Sequence, residues 1–412
     1  MKPLGPIPPG FSADAKGRLL IGGRDAETLV AEAGGTPLFV YDRARIVTQV
    51  ERFRAAFPPE VALHYAVKAN PYAPLLTAMS SLVDGFDIAS AGELDRVSGL
   101  GQPISFAGPG KRDDELAAAV RTGITINLES EGEADRALAI AKQLGLVPNL
   151  AIRVNPPFGL KGAGMKMGGL GSPFGIDHDR VPALIRRLID AGADWHGLHI
   201  YAGSQALHAD ALADLQRETV ALAGSIADEA GHAPPHVNLG GGFGIPYFAR
   251  DEQLDLESVG ASLANTLKNR PKTIANTKFA IELGRWLVGE AGVYLTRIVD
   301  RKISRGKTFL VTDGGLQHML AASGNFGQLL RRNYPVVIAA RFAELPAEEA
   351  SIVGCLCTPL DLLADDALLP RADVGDLVAI FCAGAYGLTA SPTGFLSQPE
   401  AREMLVGPSP RP

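Results

Sequence analysis

Apolar and polar positions alternate in short runs along the first two thirds of the chain, and longer amphipathic segments separate those runs. The runs are "LHYAVK" (63–68), "GFDIAS" (85–90), "ISFAG" (104–108), "ITINLES" (124–130), "LAIRVN" (150–155), "HGLHIYAG" (196–203), "HVNLGGG" (236–242) and "FAIELG" (279–284). Between them lie helical patterns such as "DELAAAVRTG", "EGEADRALAIAKQLG" and "DRVPALIRRLIDAG", the last two closed by a glycine. Eight strands alternating with helices predict a (β/α)8 barrel rather than an open sheet.

Side chains alternate faces along a strand, so parity sorts the residues further. Leu63, Tyr65 and Val67 share one face of the first run, while His64, Ala66 and Lys68 share the other. Phe86 and Ile88 oppose Asp87, and Ile152 and Val154 oppose Arg153 and Asn155. In the sixth run Leu198 and Ile200 oppose His199 and Tyr201, and in the eighth Ile281 and Leu283 oppose Glu282. One face is apolar, as a helix-covered barrel wall requires. The other aims Lys68, Asp87, Arg153 and Glu282 at the C-terminal mouth, where barrel enzymes place their chemistry.

Beyond residue 288 the texture changes to alternating strands with turns, as in "GVYLTRIVDRKISRGKTFLVTDGG" and "VGDLVAIFCAGAYG". The expected division is a barrel over 42–287 and a β domain built from 1–41 and 288–412. A glycine-rich loop, "NPPFGLKGAGMKMGGLGSPFG", follows strand five, a length that points to a functional loop over the mouth.

Composition narrows the function class. The chain has 412 residues, 46% hydrophobic and 20% charged, which is ordinary for a folded protein of two domains. A formal charge of −6 gives no basic footprint for nucleic acid. No run approaches the roughly 18 apolar residues of a membrane span, and "MKPLGPIPPGF" lacks the apolar core of a signal peptide. Three cysteines, Cys355, Cys357 and Cys382, do not make a disulfide framework. A cytoplasmic, reduced protein without a metal site is expected.

Two glycine-bearing turns complete the candidate chemistry. "NLGGGFG" (238–244), with Gly241 and Gly242, follows strand seven, and "ELGR" (282–285), with Gly284 and Arg285, follows strand eight. Such backbone approaches an anion closely, and these two loops are the usual phosphate site of the barrel. An inward lysine, a phosphate cradle and an inward carboxylate together fit pyridoxal 5'-phosphate. Lys68 supplies the Schiff base, and Glu282 keeps the pyridine nitrogen protonated so that the ring accepts electrons.

With "YAVKANP", "FDIASAGEL", "RVNP", "GSQ", "LGGGFG", "ELGR", "GCLCTPLD" and "AGAYG" quoted, the chain resembles the alanine-racemase-like barrel enzymes, and among them the diaminopimelate and ornithine decarboxylases. The resemblance implies an α-decarboxylase working through a Lys68 Schiff base and a quinonoid intermediate. It implies phosphate contacts from Ser204, Gly242, Gly284, Arg285 and Tyr386. It also implies a homodimer with shared sites, in which Cys357 reaches the partner's site as general acid. From the residues alone Cys357 reads as a buried small hydrophobe. Tyr201 stands where the family commonly stacks a histidine on the cofactor, with His199 two residues earlier as either a cofactor contact or a hydrogen-bonded interior residue. Thr358 replaces the acidic residue that holds the far end of the substrate in those relatives, and Ala321 falls where the diaminopimelate enzymes carry an arginine.

"GMKMGG", "GSQALHAD", "DGGLQH" and "AGAYGLTASPTGFL" resemble a smaller subgroup. It contains the decarboxylase of butirosin biosynthesis, which acts on glutamate tethered to an acyl carrier protein, and decarboxylases associated with exosortase clusters. This implies an amino acid or carrier-bound aminoacyl substrate, with Asp313, Thr358 and Lys166 on the substrate side. A solvated loop lysine is the alternative reading of Lys166. The alternatives in function are an amino-acid racemase of the same fold, which Glu282 disfavours, and a non-catalytic cofactor-binding protein, which the β domain disfavours.

Overall fold

The computed structural model describes residues 1–160, 165–166, 171–326, 328 and 330–407, with backbone alone described at 165–166. The chain divides into two compact units. One holds 50–244 and 254–284, the other 1–49, 245–253 and 285–412.

The first unit is the barrel. Its strands are β1 (Val61–Ala66), β2 (Gly85–Ile88), β3 (Ile104–Phe106), β4 (Thr125–Leu128), β5 (Asn149–Asn155), β6 (Asp194–Ile200), β7 (His236–Asn238) and β8 (Lys278–Leu283). All pair in parallel, and β8 returns to β1. Leu63, Tyr65, Phe86, Ile152 and Ile281 are fully buried on the outer face, under the helices. Removing such side chains from water is the main favourable term that closes the barrel.

Helix ends follow local chemistry. Ser90 and Ser130 each accept the amide three residues on, opening the helices Ala91–Val97 and Glu131–Leu144. Gly123 and Gly145 close Asp113–Thr122 and Glu131–Leu144 in the left-handed conformation. The helix Val181–Asp190 is closed by its glycine as well: after Ala191, Gly192 takes φ +80°, its amide donates to the Ile189 carbonyl, and the Ala193 amide donates to that of Leu188.

Parity on β6 holds with one exception. A bulge between Trp195 and Gly197 shifts the register against β5. An extra residue of this kind re-aims side chains, and it sends His196 into the lower barrel while His199 occupies the upper interior.

The second unit is a mixed sheet in which Gly292–Ser304 pairs antiparallel with Lys307–Thr312, Leu377–Phe381 and the early strand Leu38–Asp42. Two pairings are parallel: Lys307–Thr312 with Glu348–Val353, and Arg402–Val406 with Leu38–Asp42. Alternation alone carries no strand direction, so the pattern did not separate these cases. No helix among the described residues is long and apolar enough to cross a membrane.

Candidate active site

Lys68 lies just beyond β1 rather than within it. The strand stops at Ala66, and Val67–Ala69 forms a short 3-10 turn. Asn70 is extended, as the residue before Pro71 must be. The Tyr65 hydroxyl donates to the Asn70 carbonyl at 3.0 Å, which pins the turn to the buried face of the strand. Lys68 itself is exposed, with Nζ 5.5 Å from the centroid of the Tyr201 ring.

Glu282 stands on the inner face of β8, 5% exposed. His199 Nε2 lies 2.9 Å from its Oε2, and Asn238 Nδ2 donates to the same oxygen at 3.1 Å. Among the described residues, Oε1 accepts no hydrogen bond. Burial opposes the charge, but the His199 imidazole beside it, helped by Lys68 and Arg153, holds the Glu282 carboxyl well below the usual carboxylate range. The register explains the grouping: His199 pairs across to Arg153 on β5 and to Asn238 on β7. His199 is hydrogen-bonded inside the barrel through Nε2.

Arg153 is buried, and its Nη1 donates to Glu129 Oε1 at 2.8 Å while the guanidinium lies 4.9 Å from the Phe174 ring. Glu129 also accepts from the Gly108 and Gly175 amides. Asp87 is 7% exposed, and neither of its oxygens accepts a hydrogen bond among the described residues. Glu129, Asn238 and His64 were not singled out from the sequence. The inward parity of their strands was the one signal for them.

The glycine turn after β7 packs backbone on backbone. A Cβ at Gly241 would overlap the Glu282 carbonyl oxygen, and one at Gly242, where φ is +84°, would overlap the Gly203 carbonyl. Among the described residues, the amides of Gly241 and Gly242 donate to no group, and the buried Ser204 Oγ has no partner. Gly241→Ala is accordingly expected to cost about 1–3 kcal/mol of stability, as overpacking does, and to weaken retention of an anion. Thermal unfolding with and without inorganic phosphate or cofactor reads both; an unchanged midpoint in each would contradict the packing argument.

The residues present fit pyridoxal phosphate. Two unpaired amides and an orphaned hydroxyl suit a phosphate. An ionised carboxylate with one oxygen open suits a ring N–H. An exposed lysine beside an aromatic face suits the carbonyl carbon.

Within the other unit, Arg285 Nη1 donates to the Tyr247 hydroxyl at 2.7 Å, and its guanidinium lies 4.7 Å from the Tyr386 ring. Burial pushes the Tyr247 phenol up to about 12, so it stays neutral. Cys357 is exposed, which overturns its reading as a buried hydrophobe. Its loop is tied by Asp361, whose carboxylate accepts from the Leu316 and Leu356 amides at 2.6 and 2.9 Å. Thr358 spends its hydroxyl on the Leu360 amide at 3.3 Å. Asp313 accepts from the Thr36 and Thr296 hydroxyls and from the Arg297 amide. The backbone of Met165–Lys166 pairs with Gly203–Ser204, and the Lys166 side chain lies outside the described residues.

Comparison with known proteins agrees with this chemistry. Residues 43–289 match the family model described as the pyridoxal-dependent decarboxylase, pyridoxal binding domain. The L-glutamyl-[BtrI acyl-carrier protein] decarboxylase of Niallia circulans is 34% identical over 379 residues, covering 90% of this chain and 88% of that protein. The diaminopimelate decarboxylase of Methanothermobacter thermautotrophicus is 32% identical, covering 97% and 92%. The diaminopimelate decarboxylase structure from M. jannaschii in complex with L-lysine superposes with a TM-score of 0.85 at 26% identity, over 96% of this chain and 92% of that one. The chain belongs to the pyridoxal-phosphate-dependent decarboxylases of the barrel-plus-β-domain type, and it is a carboxy-lyase.

Proposed function

We propose that the enzyme removes the α-carboxylate of an amino acid whose side-chain carboxyl is joined to an acyl carrier protein. The supporting observation is the 34% identity, over nine tenths of the chain, to a decarboxylase of a carrier-bound glutamyl group. Loss of the α-carboxylate requires that group free, so the carrier must be attached through the other end of the substrate. Thr358 and the buried Ala321 are uncharged and offer no ionic grip for a free distal carboxylate or ammonium.

Lys68 Nζ is the amine that carries the cofactor. The Gly241 and Gly242 amides and Ser204 Oγ hold its phosphate, and Arg285, Gly284 and Tyr386 are assigned to the same anion. Tyr201 supplies an aromatic face, and Glu282 Oε1 holds the proton of the ring nitrogen, with His199 and Asn238 keeping that carboxylate ionised and oriented. Asp87 and Arg153 complete the charge lining of the mouth. When bound, pyridoxal phosphate accepts the electron pair left on Cα as carbon dioxide departs. Cα then takes one proton, for which Cys357 is the proposed donor. We assign the enzyme a homodimeric state in which Cys357 of one subunit serves the site of the other.

The test is carbon dioxide release by the cofactor-loaded protein. The substrates are free L- and D-amino acids, diaminopimelate, ornithine, glutamate, and glutamate or other amino acids loaded on an acyl carrier protein. Release from loaded carrier, at least tenfold faster than from the matching free amino acid, is expected. Equal or faster release from a free amino acid would remove the carrier from the reaction.

A further inference from the structure

His64 stands on the inner face of β1, level with Glu282 on one side and Gly85 on the other. Gly85 makes the space: a Cβ there would sit 2.9 Å from Cδ2 and Nε2 of the imidazole. The ring is held with Nδ1 3.5 Å from Asp87 Oδ2. Asp87 is buried, and among the described residues its oxygens have no formed hydrogen bond. A buried carboxylate needs a countercharge, and the imidazole is the cation-forming group at ion-pair distance from it.

The other side of His64 lines a cavity of about 400 Å³ at the N-terminal end of the barrel. Thr125, Asn127, His196, His236 and Asn238 line the same space, and Thr125 Oγ1 lies 2.7 Å from His196 Nδ1. We infer that His64 is a positioning residue for Asp87, and that it holds a proton beneath the active site in exchange with the cavity at the opposite mouth of the barrel. This rests on the decarboxylase reading for its purpose. Cleavage leaves the bonding pair on Cα, and the product amine forms only when one proton is taken up, so each turnover draws a proton from solvent. The mouth that receives substrate and the mouth that exchanges protons are then separate.

The charged groups around the imidazole favour its protonated form. Burial opposes the charge, but Asp87 beside it, with Glu282 from β8 and Asp84 at the entry to β2, raises the His64 value above 6.5. Lys278 and His236 share the cavity wall, and burial, with Lys278, His196 and His64, lowers the His236 value.

The experiment follows the His64 ring signals by NMR across pH, assigned by their loss in His64→Gln, in cofactor-free and cofactor-loaded protein. The ring is expected to titrate above 6.5, and Asp87→Asn is expected to lower that value by about one unit or more. In loaded His64→Gln and His64→Asn, the acidic limb of kcat/KM and the pH dependence of the bound cofactor's visible band should both move, with the unfolding midpoint within a few degrees of wild type. A His64 titration indifferent to Asp87→Asn would overturn the pairing. Unmoved pH profiles in both His64 variants would overturn its role at the site. The cofactor-free titration reports the pair even if the carrier-bound substrate is the wrong one, so the two readings fail separately.

Discussion

Lys68→Ala is expected to lower kcat on the order of a thousandfold or more, with the unfolding midpoint almost unchanged. The asymmetry follows from where the lysine sits. Its turn is held by the Tyr65 hydroxyl and by Asn70, while the Lys68 side chain is exposed. A substitution at such a position costs stability within about 0.5 kcal/mol. The loss is therefore chemical: without a primary amine there, the cofactor has no covalent attachment and the visible band of the lysine-bound form disappears. Retention of a tenth of wild-type turnover would sink the assignment. The same variant tests the shared site. Mixed with Cys357→Ala and allowed to exchange subunits, half of the dimers are hybrids, and each hybrid has one of two sites free of both lesions. About a quarter of wild-type activity should return. No recovery from two inactive parents would place Cys357 in its own subunit's site, and an active Cys357→Ala parent would place it outside the chemistry.

The barrel was legible because its two faces have different solvents. Phe86, Ile152 and Ile281 meet helices, and Asp87, Arg153 and Glu282 meet the interior, so parity survives in the sequence as alternation. What parity does not carry is which inward groups pair. Glu282 reaches His199 across one intervening strand, 83 residues away in sequence, and Arg153 reaches Glu129 just past the end of the neighbouring strand. Those pairings depend on strand order and register, which alternation leaves open. The bulge beside Gly197 was hidden for the same reason: it answers to the approach of the His236 backbone, not to its own neighbours in the chain. Lys68 illustrates a smaller failure. The apolar run continues through Val67, but Asn70-Pro71 ends the strand early, and a 3-10 turn carries the lysine past the wall. In the β unit, Asp313 was placed on the substrate side by the resemblance of "DGGLQH" alone. Its oxygens accept from two threonines and an amide on two separate segments. Exposure of Cys357 was equally unreadable, since it depends on how Asp361 ties the loop from behind.

Glu282→Gln carries the second large effect, expected as a fall in kcat on the order of 10²–10³-fold with cofactor still bound. The amide keeps the shape of the side chain and an oxygen for His199 or Asn238, so the site is not emptied. What it cannot do is hold a proton on the ring nitrogen by charge. A neutral ring is a poorer electron acceptor, and the cost falls on the step in which the Cα–carboxylate bond breaks, not on substrate binding; KM should move little. The pH dependence of stability separates this from simple damage. In the wild type the native Glu282 carboxyl lies below its unfolded value of 4.5, because His199 and the neighbouring cations favour the anion. Its contribution to stability is present above that value and is lost as pH falls toward the native one, since the unfolded chain binds the proton first. Removing one member of a buried pair costs up to about 3–5 kcal/mol near neutrality, so Glu282→Gln should be less stable than wild type at pH 7. The gap should then narrow as pH falls below 4.5, where the wild type gives up what the variant never had. A stability difference that stays constant through that range, or a kcat within threefold of wild type, would show that Glu282 is neither ionised by its neighbours nor the partner of the cofactor ring.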